Sequence, residues 1–418
     1  MAKSIQDISA HYFKRFPDFS INIAAEDFAK NLQTIIVIPC FKEAAIIQSL
    51  HSLANCDRAK HNTLVLILVN ASEAIDANIK AYNEKTFQDI QTFIEQNKSE
   101  NLTFKAFLNN ELPTKHAGVG YARKILMDTA LSMFSKQDTD GIIVNTDADC
   151  LFTKNYITAI ENAFENTKAK HGVMHYEHRI DSEENKILVQ GITEYELHLR
   201  YYKQALAWTN YPKVIHTIGS CMLCKATTYA LEGGMNKRKA GEDFYFMNKL
   251  AKSHEFVEVK NASVLPSCRT SDRVPFGTGK AMNDYIDTQT KVFQSYDFRC
   301  FIELNEFISK IDLLYSQNFK KSKNQFSDLS FQFFEAIEID ANLLKIKKQS
   351  KDLVNFKKNF FFWFDHLKAL QFIHFYTDNK YPKISIFDAA HQFLERKEIN
   401  IKQDDARSIL ELFRTLDK

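Results

Sequence analysis

The first half of the chain alternates short apolar runs with stretches of helical periodicity. Thr34-Ile-Ile-Val-Ile-Pro39 is a β-branched run closed by proline, and Glu43 to Leu53 then carries apolar residues at helical spacing. Leu64 to Asn70 is a second apolar strand, followed by a long polar helix from Ala77 to Gln96. Leu102 to Leu108 reads as a third strand, Tyr121 to Phe134 as another helix, and Gly141 to Thr146 as a fourth strand. Strands that are apolar throughout are buried on both faces, and strands separated by helices join through right-handed crossovers. The predicted class is therefore α/β, with a Rossmann-like, mostly parallel central sheet flanked by helices.

Beyond Asp149 the pattern is mixed. Tyr156 to Phe164, Ile192 to Trp208 and Glu242 to Ala251 have helical spacing, while Gly172 to Tyr176, Gly219 to Cys224 and Phe256 to Lys260 read as strands. From Asp284 onward the periodicity is mainly helical, with few glycines and many aromatics. At 418 residues the chain exceeds the size at which one hydrophobic core stops growing. The expected division is an N-terminal helical extension (1–30), an α/β domain (31–283) and a C-terminal α-helical domain (284–418). Within the last, Phe360-Phe-Phe-Trp-Phe364 is bracketed by Lys357-Lys358-Asn359 and Asp365 and is too short to cross a bilayer. A helix-bundle core is its expected place, with an interfacial patch for a membrane or a partner as the alternative.

Charge and cysteine content narrow the partners. Lysine and arginine total 54 against 52 acids, so no global field draws in nucleic acid, and any anion site must be local. The N-terminus reads as polar helix without a charged-then-apolar leader. The expected location is cytoplasmic, or peripheral on the inner face of a membrane. The seven cysteines are scattered and mostly apolar in context, as reduced thiols would be.

Four segments at the ends of the presumed strands carry candidate chemistry. Pro39-Cys-Phe-Lys-Glu43 puts a carboxylate at the mouth of a helix, where it could bond a ribose or base, or simply complement the helix dipole. Gly118-Val-Gly-Tyr-Ala-Arg123-Lys124 combines glycines at a helix start with fixed positive charge, which suits an anion or marks a solvated hinge. Asp147-Ala-Asp149 follows an apolar strand into the crevice where open α/β sheets bind ligands, and its two carboxylates could face one ion. Gly233 to Asp243 is a glycine-rich basic loop ending in Glu242-Asp243, where Asp243 could be a general base or either acid a helix cap. His171, His175 and His178 cluster near Glu177, which would allow a second metal but fits ordinary strand residues better.

The order of these segments resembles the family 2 glycosyltransferases, whose fold is GT-A, over residues 33 to 265. Lys42 and Lys124 stand where that family usually has asparagine, and Asn70 stands where an aspartate-rich turn usually reads the base. The resemblance implies a divalent metal, Mg²⁺ or Mn²⁺, held by Asp149 with Asp147. It implies nucleotide-sugar contacts from Pro39, Glu43, Asn70, Gly118, Arg123, Lys124 and Asp147, and a catalytic pair in Asp243 and Glu242. Ser220, Arg269 and Arg273 are candidate diphosphate or acceptor contacts, the arginines being equally suited to pairing with the chain's own carboxylates.

The implied partners are a nucleotide-diphosphate sugar and a hydroxyl acceptor, with no nucleic acid; the helical tail offers a peripheral membrane contact or a homodimer contact. Inverting transfer with Asp243 as base is the leading expectation. Its alternatives are a retaining GT-A transferase, a sugar-phosphate nucleotidyltransferase, and a non-catalytic nucleotide-sugar-binding protein. The nucleotidyltransferases place a glycine-rich basic loop directly after the first strand, which Pro39 to Glu43 does not supply.

Overall fold

A computed structural model describes residues 3–17, 21–24, 29–253, 255–271, 277–287, 292–401 and 405–418. Along the chain the elements run α1 (Ile5–Arg15), β1 (Leu32–Cys40), α2 (Ile46–Ala54), β2 (Asn62–Ser72), α3 (Ala77–Gln96), β3 (Leu102–Leu112), α4 (Val119–Lys136), β4 (Ile142–Asn145), β5 (Leu151–Phe152), α5 (Tyr156–Glu165) and β6 (His171–Tyr176). There follow α6 (Lys186–Trp208), β7 (Met222–Lys225), α7 (Ala226–Leu231), α8 (Glu242–Ser253), β8 (Phe256–Leu265), α9 (Thr278–Asp287), β9 (Gln294–Ser295) and α10 (Phe298–Ser309). The last are α11 (Leu313–Ser316), α12 (Asp328–Ala336), α13 (Ile339–Lys348), α14 (Leu353–Trp363), α15 (His366–Asn379), β10 (Ile384–Ser385), α16 (Ile386–Arg396) and α17 (Ala406–Asp417).

Contacts divide the chain into two units, Met1–Arg179 with Thr217–Lys280, and Ile180–His216 with Ala281–Lys418. This differs from the expected grouping in two places. The extension 1–30 belongs with the α/β unit, because α1 packs on α4 and α7. Helix α6 belongs with the helical unit, because its apolar and charged residues pack on α10, α16 and α17.

In the first unit, eight strands among the described residues form one sheet in the order β3-β2-β1-β4-β7-β6-β8-β5. β3, β2, β1 and β4 are parallel, β7 runs antiparallel to β4 and β6, and β5 runs antiparallel to β8. The expected α/β class is the one observed. β1 and β2 are buried almost throughout, as continuous apolar strands between helix layers must be. Pro39 does not close β1 but lies within it. The Thr146 amide donates to the Val37 carbonyl at 3.2 Å, so Val37 and Pro39 share the edge facing β4. The last β4 pair is Val37 with Asn145, and the missing Pro39 N–H falls beyond it. The expected strand from Gly219 to Cys224 is instead a 3₁₀ turn, Gly219–Cys221, followed by β7.

The helical unit confirms the core reading of the phenylalanine run in part. Phe360 and Phe364 are fully buried with Phe307, Phe334 and Phe372, and Phe307 stacks on Phe334 with ring centroids 3.7 Å apart. Phe362 is exposed. Arg200 pairs with Glu196 at 2.8 Å and Asp417 at 2.6 Å, tying α17 to α6 inside the unit. No helix of the described residues is long and apolar enough to cross a membrane. All seven cysteines are free and buried.

Beneath the sheet's site end, α1 is held by a buried polar cluster. Lys124 pairs with Asp128 at 3.1 Å, and Asp128 accepts hydrogen bonds from Tyr12 at 2.7 Å and Tyr229 at 2.6 Å. Burial pushes the Asp128 carboxyl up and the Lys124 ammonium down from their ordinary values, and their mutual attraction offsets part of each shift. Asp128→Ala leaves an uncompensated buried ammonium and is expected to cost about 3–5 kcal/mol of stability in urea unfolding followed by circular dichroism. Adding Lys124→Met should restore part of the loss; a single-mutant cost below about 1 kcal/mol would contradict the pairing.

Candidate active site

The C-terminal ends of β1 and β4 and the starts of α4 and α8 converge on two arginines. Asp147 leaves β4 one residue past Thr146, and the Cys150 amide donates back to its carbonyl at 3.2 Å, so the Asp-Ala-Asp segment is a tight turn. The Arg123 guanidinium, from the second turn of α4, bonds the Asp147 carboxylate through one terminal nitrogen and the Glu242 carboxylate through the other. Arg123 and Glu242 are almost completely buried, whereas the Asp147 side chain is 40% exposed. Burial alone would disfavour the Arg123 charge; Asp147 and Glu242 outweigh it and hold the guanidinium above its ordinary pKa.

The guanidinium lies against Gly219. A Cβ at that position would come within 2.5 Å of both terminal nitrogens, so the turn before β7 requires glycine there. Gly120 serves a similar purpose on the other side. Its added Cβ would sit 2.2 Å from the Arg238 carbonyl, so the start of α4 is packed against the loop that leads to α8.

Asp149 belongs to a second cluster. Its Oδ2 accepts from Ser267 at 2.7 Å and from Arg269 Nε at 3.1 Å, and the Arg269 guanidinium also bonds the buried Glu43. Glu43 Oε1 further accepts from the Ala45 amide at 3.1 Å, capping the turn before α2. Burial raises the Glu43 carboxyl above its usual range, and Arg269 opposes that shift. Arg179 donates to the Asp149 carbonyl at 3.1 Å.

Asp243 opens α8 beside Glu242. One of its oxygens accepts from the Phe244 amide at 2.7 Å, and the other accepts nothing among the described residues. Burial, reinforced by the neighbouring Glu242 charge and opposed by Arg123, raises this carboxyl to about 6. A half-buried carboxylate with that affinity for a proton and an open oxygen has the character of a general base.

The remaining expected residues divide between site and scaffold. Lys124 does not face the Asp147 turn; one helical step from Arg123 carries it to Asp128 and Tyr12 in the core. Asn70 is buried, with its amide nitrogen donating to the Cys40 carbonyl at 3.0 Å and the Leu68 carbonyl at 3.2 Å, so that nitrogen braces β1 against β2. Gly118 is the residue before α4, its added Cβ meeting Lys239 at an ordinary 3.5 Å. Ser220 is buried in the 3₁₀ turn beside Cys221. Arg269 is paired with the chain's own Glu43 and Asp149, and Arg273 lies outside the described residues. His175 is paired with Glu177 at 2.9 Å. Ser267, Arg179 and Gly219 were not singled out by role, although Ser267 directly precedes the Cys268-Arg269 pair.

The donor chemistry suits a hard divalent cation. Asp147 keeps one oxygen without a partner among the described residues, and Asp149 Oδ1 meets only the Cys150 thiol at 3.9 Å. Two carboxylates, completed by water and substrate phosphates, are a typical Mg²⁺ arrangement. Elsewhere, His61, Glu161 and Glu165 form a three-residue cluster, but Glu161 already accepts the Lys60 and His61 amides at 2.7 and 3.0 Å and ties the segment before β2 to α5.

No protein-family model and no curated protein matches this chain. Among solved structures it is similar to S. aureus TarS 1–349 in complex with UDP-GlcNAc, at 10% identity over 89% of this chain and 95% of that chain, with a TM-score of 0.41. S. aureus TarS 1–349 in complex with UDP gives 11% identity over 79% and 91%, with a TM-score of 0.40. What the site can do follows from its own residues.

Gly219→Ala should push the Arg123 guanidinium off its shelf and loosen both carboxylates it holds. Hydrogen exchange is expected to show faster exchange of the amides at the start of α8, with the central strands β1 and β2 unchanged. Unchanged exchange at Glu242 to Tyr245 would show that Gly219 does not set the arginine's position.

Proposed function

We propose that this chain is a metal-dependent, inverting glycosyltransferase that moves a sugar from a nucleotide-diphosphate donor to an acceptor hydroxyl. The observation that carries this reading is the single guanidinium of Arg123 joining Asp147, at the end of β4, to Glu242, the neighbour of Asp243. It holds a phosphate-side acid and a candidate base in one frame, which is the requirement for direct displacement at a sugar carbon.

Asp243 accepts the acceptor hydroxyl proton through its open oxygen. The acceptor oxygen forms a bond to the anomeric carbon as the bond from that carbon to the diphosphate breaks, and the nucleoside diphosphate departs. Asp149 and Asp147 would hold a divalent cation, which would supply charge neutralisation for the departing diphosphate. Arg269 lies beside Asp149 and more than a third exposed, where a phosphate can compete for its guanidinium. Glu242 does not need to touch substrate; it fixes Arg123 and raises the proton affinity of Asp243.

A retaining transferase is the second reading, favoured only if Asp243 proves dispensable. A screen of UDP- and GDP-sugars for donor hydrolysis identifies the donor, and NMR of the transferred product then decides the stereochemistry. A product that keeps the donor's anomeric configuration would remove Asp243 from the base role. Asp243→Asn is expected to lower kcat by roughly 10²–10⁴-fold with little change in donor KM. Asp149→Ala should abolish the Mn²⁺ dependence of donor binding in calorimetry; donor binding that ignores both metal and this substitution would sink the metal assignment.

The pH profile gives a signed test. The base works as the carboxylate, and its raised pKa means that the active form is lost as pH falls through about 6. The rate should therefore fall about tenfold per pH unit below that value. Glu242→Gln removes a charge that raises the Asp243 pKa and frees Arg123 to lower it further, so the acid limb should move to lower pH. A limb that stays in place in Glu242→Gln belongs to another group.

A further inference from the structure

The helical unit presents a surface that its own core does not use. α13 buries Ile339, Leu343 and Ile346 on one face, and its opposite face carries Ala341, Leu344, Lys345 and Lys348, spaced i, i+3, i+4 and i+7. α14 packs against α13 and buries Phe356 and Phe360, while Val354, Lys358 and Phe362 follow one another at i, i+4 and i+8 on its exposed side. Leu344 is 63% exposed, Val354 77% and Phe362 54%, and these rank among the most exposed large apolar side chains of the protein.

Charge is concentrated on the same hairpin. From Leu344 to Phe364 there are six lysines, Lys345, Lys347, Lys348, Lys351, Lys357 and Lys358, against one acid, Asp352, in a chain whose net charge is only +2. Asp352 is occupied at the start of α14, where it accepts from the Asn355 amide at 2.8 Å. Lys357 pairs with Asp312 at 2.7 Å and Lys347 donates to the Gln317 carbonyl at 2.6 Å. Lys345, Lys348, Lys351 and Lys358 are exposed and pair with no carboxylate among the described residues. The exposed acids Glu335 and Glu338 lie before α13, at the end away from the turn to α14.

We propose that the α13–α14 hairpin docks this protein on an anionic lipid surface. The lysines meet the headgroup phosphates, and Leu344, Val354 and Phe362 enter the boundary between headgroups and acyl chains. Both halves of the patch are needed to choose this occupant. A soluble polyanion would satisfy the lysines but gain nothing from three exposed apolar side chains, whereas a bilayer accepts both. Of the aromatic run Phe360 to Phe364, expected as core with an interfacial patch as the alternative, Phe360 and Phe364 are core and Phe362 joins the exposed surface. This inference is independent of the proposed catalytic activity.

The test is co-sedimentation of the full chain with vesicles of phosphatidylcholine alone or with about a third phosphatidylglycerol. Binding is expected only with phosphatidylglycerol and should weaken as salt shortens the screening length. Replacing Lys345, Lys348, Lys351 and Lys358 together by glutamate should lower the partition coefficient by roughly a hundredfold. Leu344→Ser with Val354→Ser should also weaken vesicle binding while leaving the thermal melt unchanged. Equal binding to neutral vesicles, or none to anionic ones, overturns the proposal. So does polyphosphate binding as tight as vesicle binding with no effect of the serine pair, the outcome that identifies a soluble polyanion as the occupant.

Discussion

The site depends on one buried positive charge. A guanidinium taken out of water is stable only where carboxylates and close packing replace its hydration, and Arg123 obtains this from Asp147, Glu242 and the bare face of Gly219. That requirement fixes four separate pieces of chain: the second turn of α4, the turn after β4, the 3₁₀ turn before β7 and the start of α8. It also sorts the acids by role. Arg123 has one charge to share among Asp147, Glu242 and Asp243, and its two terminal nitrogens go to the first two. Asp243 is left with a single amide donor and a raised proton affinity. The raised proton affinity of Asp243 thus comes first from its burial and then from Glu242, and the arginine, committed to the other two acids, offsets it only in part.

The second arginine differs in a way that matters for chemistry. Arg269 also bridges two acids, Glu43 and Asp149, but more than a third of its side chain is exposed, against almost none of Arg123. An exposed ion pair is weakly held and exchanges partners with anions from solution, while a buried one is costly to open. Arg123 is therefore suited to frame the site and Arg269 to meet a ligand. Asp149 is paired to the exchangeable arginine through Oδ2, and its Oδ1 meets only the Cys150 thiol; Asp147, paired to the fixed arginine, is held in place from behind.

Much of this was legible in the sequence, and the failures share a cause. Continuous β-branched runs announced β1, β2 and β4, and the periodic polar helix α3 appears with its expected limits, because burial on both faces and helical amphipathicity are local patterns. The strand-end residues Glu43, Arg123, Asp147, Asp149, Glu242, Asp243 and Arg269 do gather into two linked clusters. The sequence could not tell which of two adjacent cations faces the site. Arg123 and Lys124 are equivalent in composition, and only the roughly 100° step of the helix sends one to Asp147 and the other to Asp128. For a related reason the sequence does not show how Asn70 is placed, since its amide nitrogen donates to carbonyls of two strands whose register no local pattern reveals.

The segment that looked least connected to function proves to stand directly behind it. α1 read as an extension, yet its Tyr12 hydroxyl bonds Asp128 on α4 and receives the Lys124 ammonium at 2.6 Å. The same hydroxyl lies where a Cβ on Gly234 would come within 2.1 Å, and Gly234 is held at φ +68°, a left-handed backbone that glycine alone adopts without strain. Gly234 begins the loop that ends at Glu242 and Asp243. One tyrosine from the first helix therefore touches both the helix that carries Arg123 and the loop that delivers Glu242 to it. The buried charge at the front of α4 and the buried charge at its back are consecutive residues on one rigid helix, so the precision of the site rests on satisfying both at once.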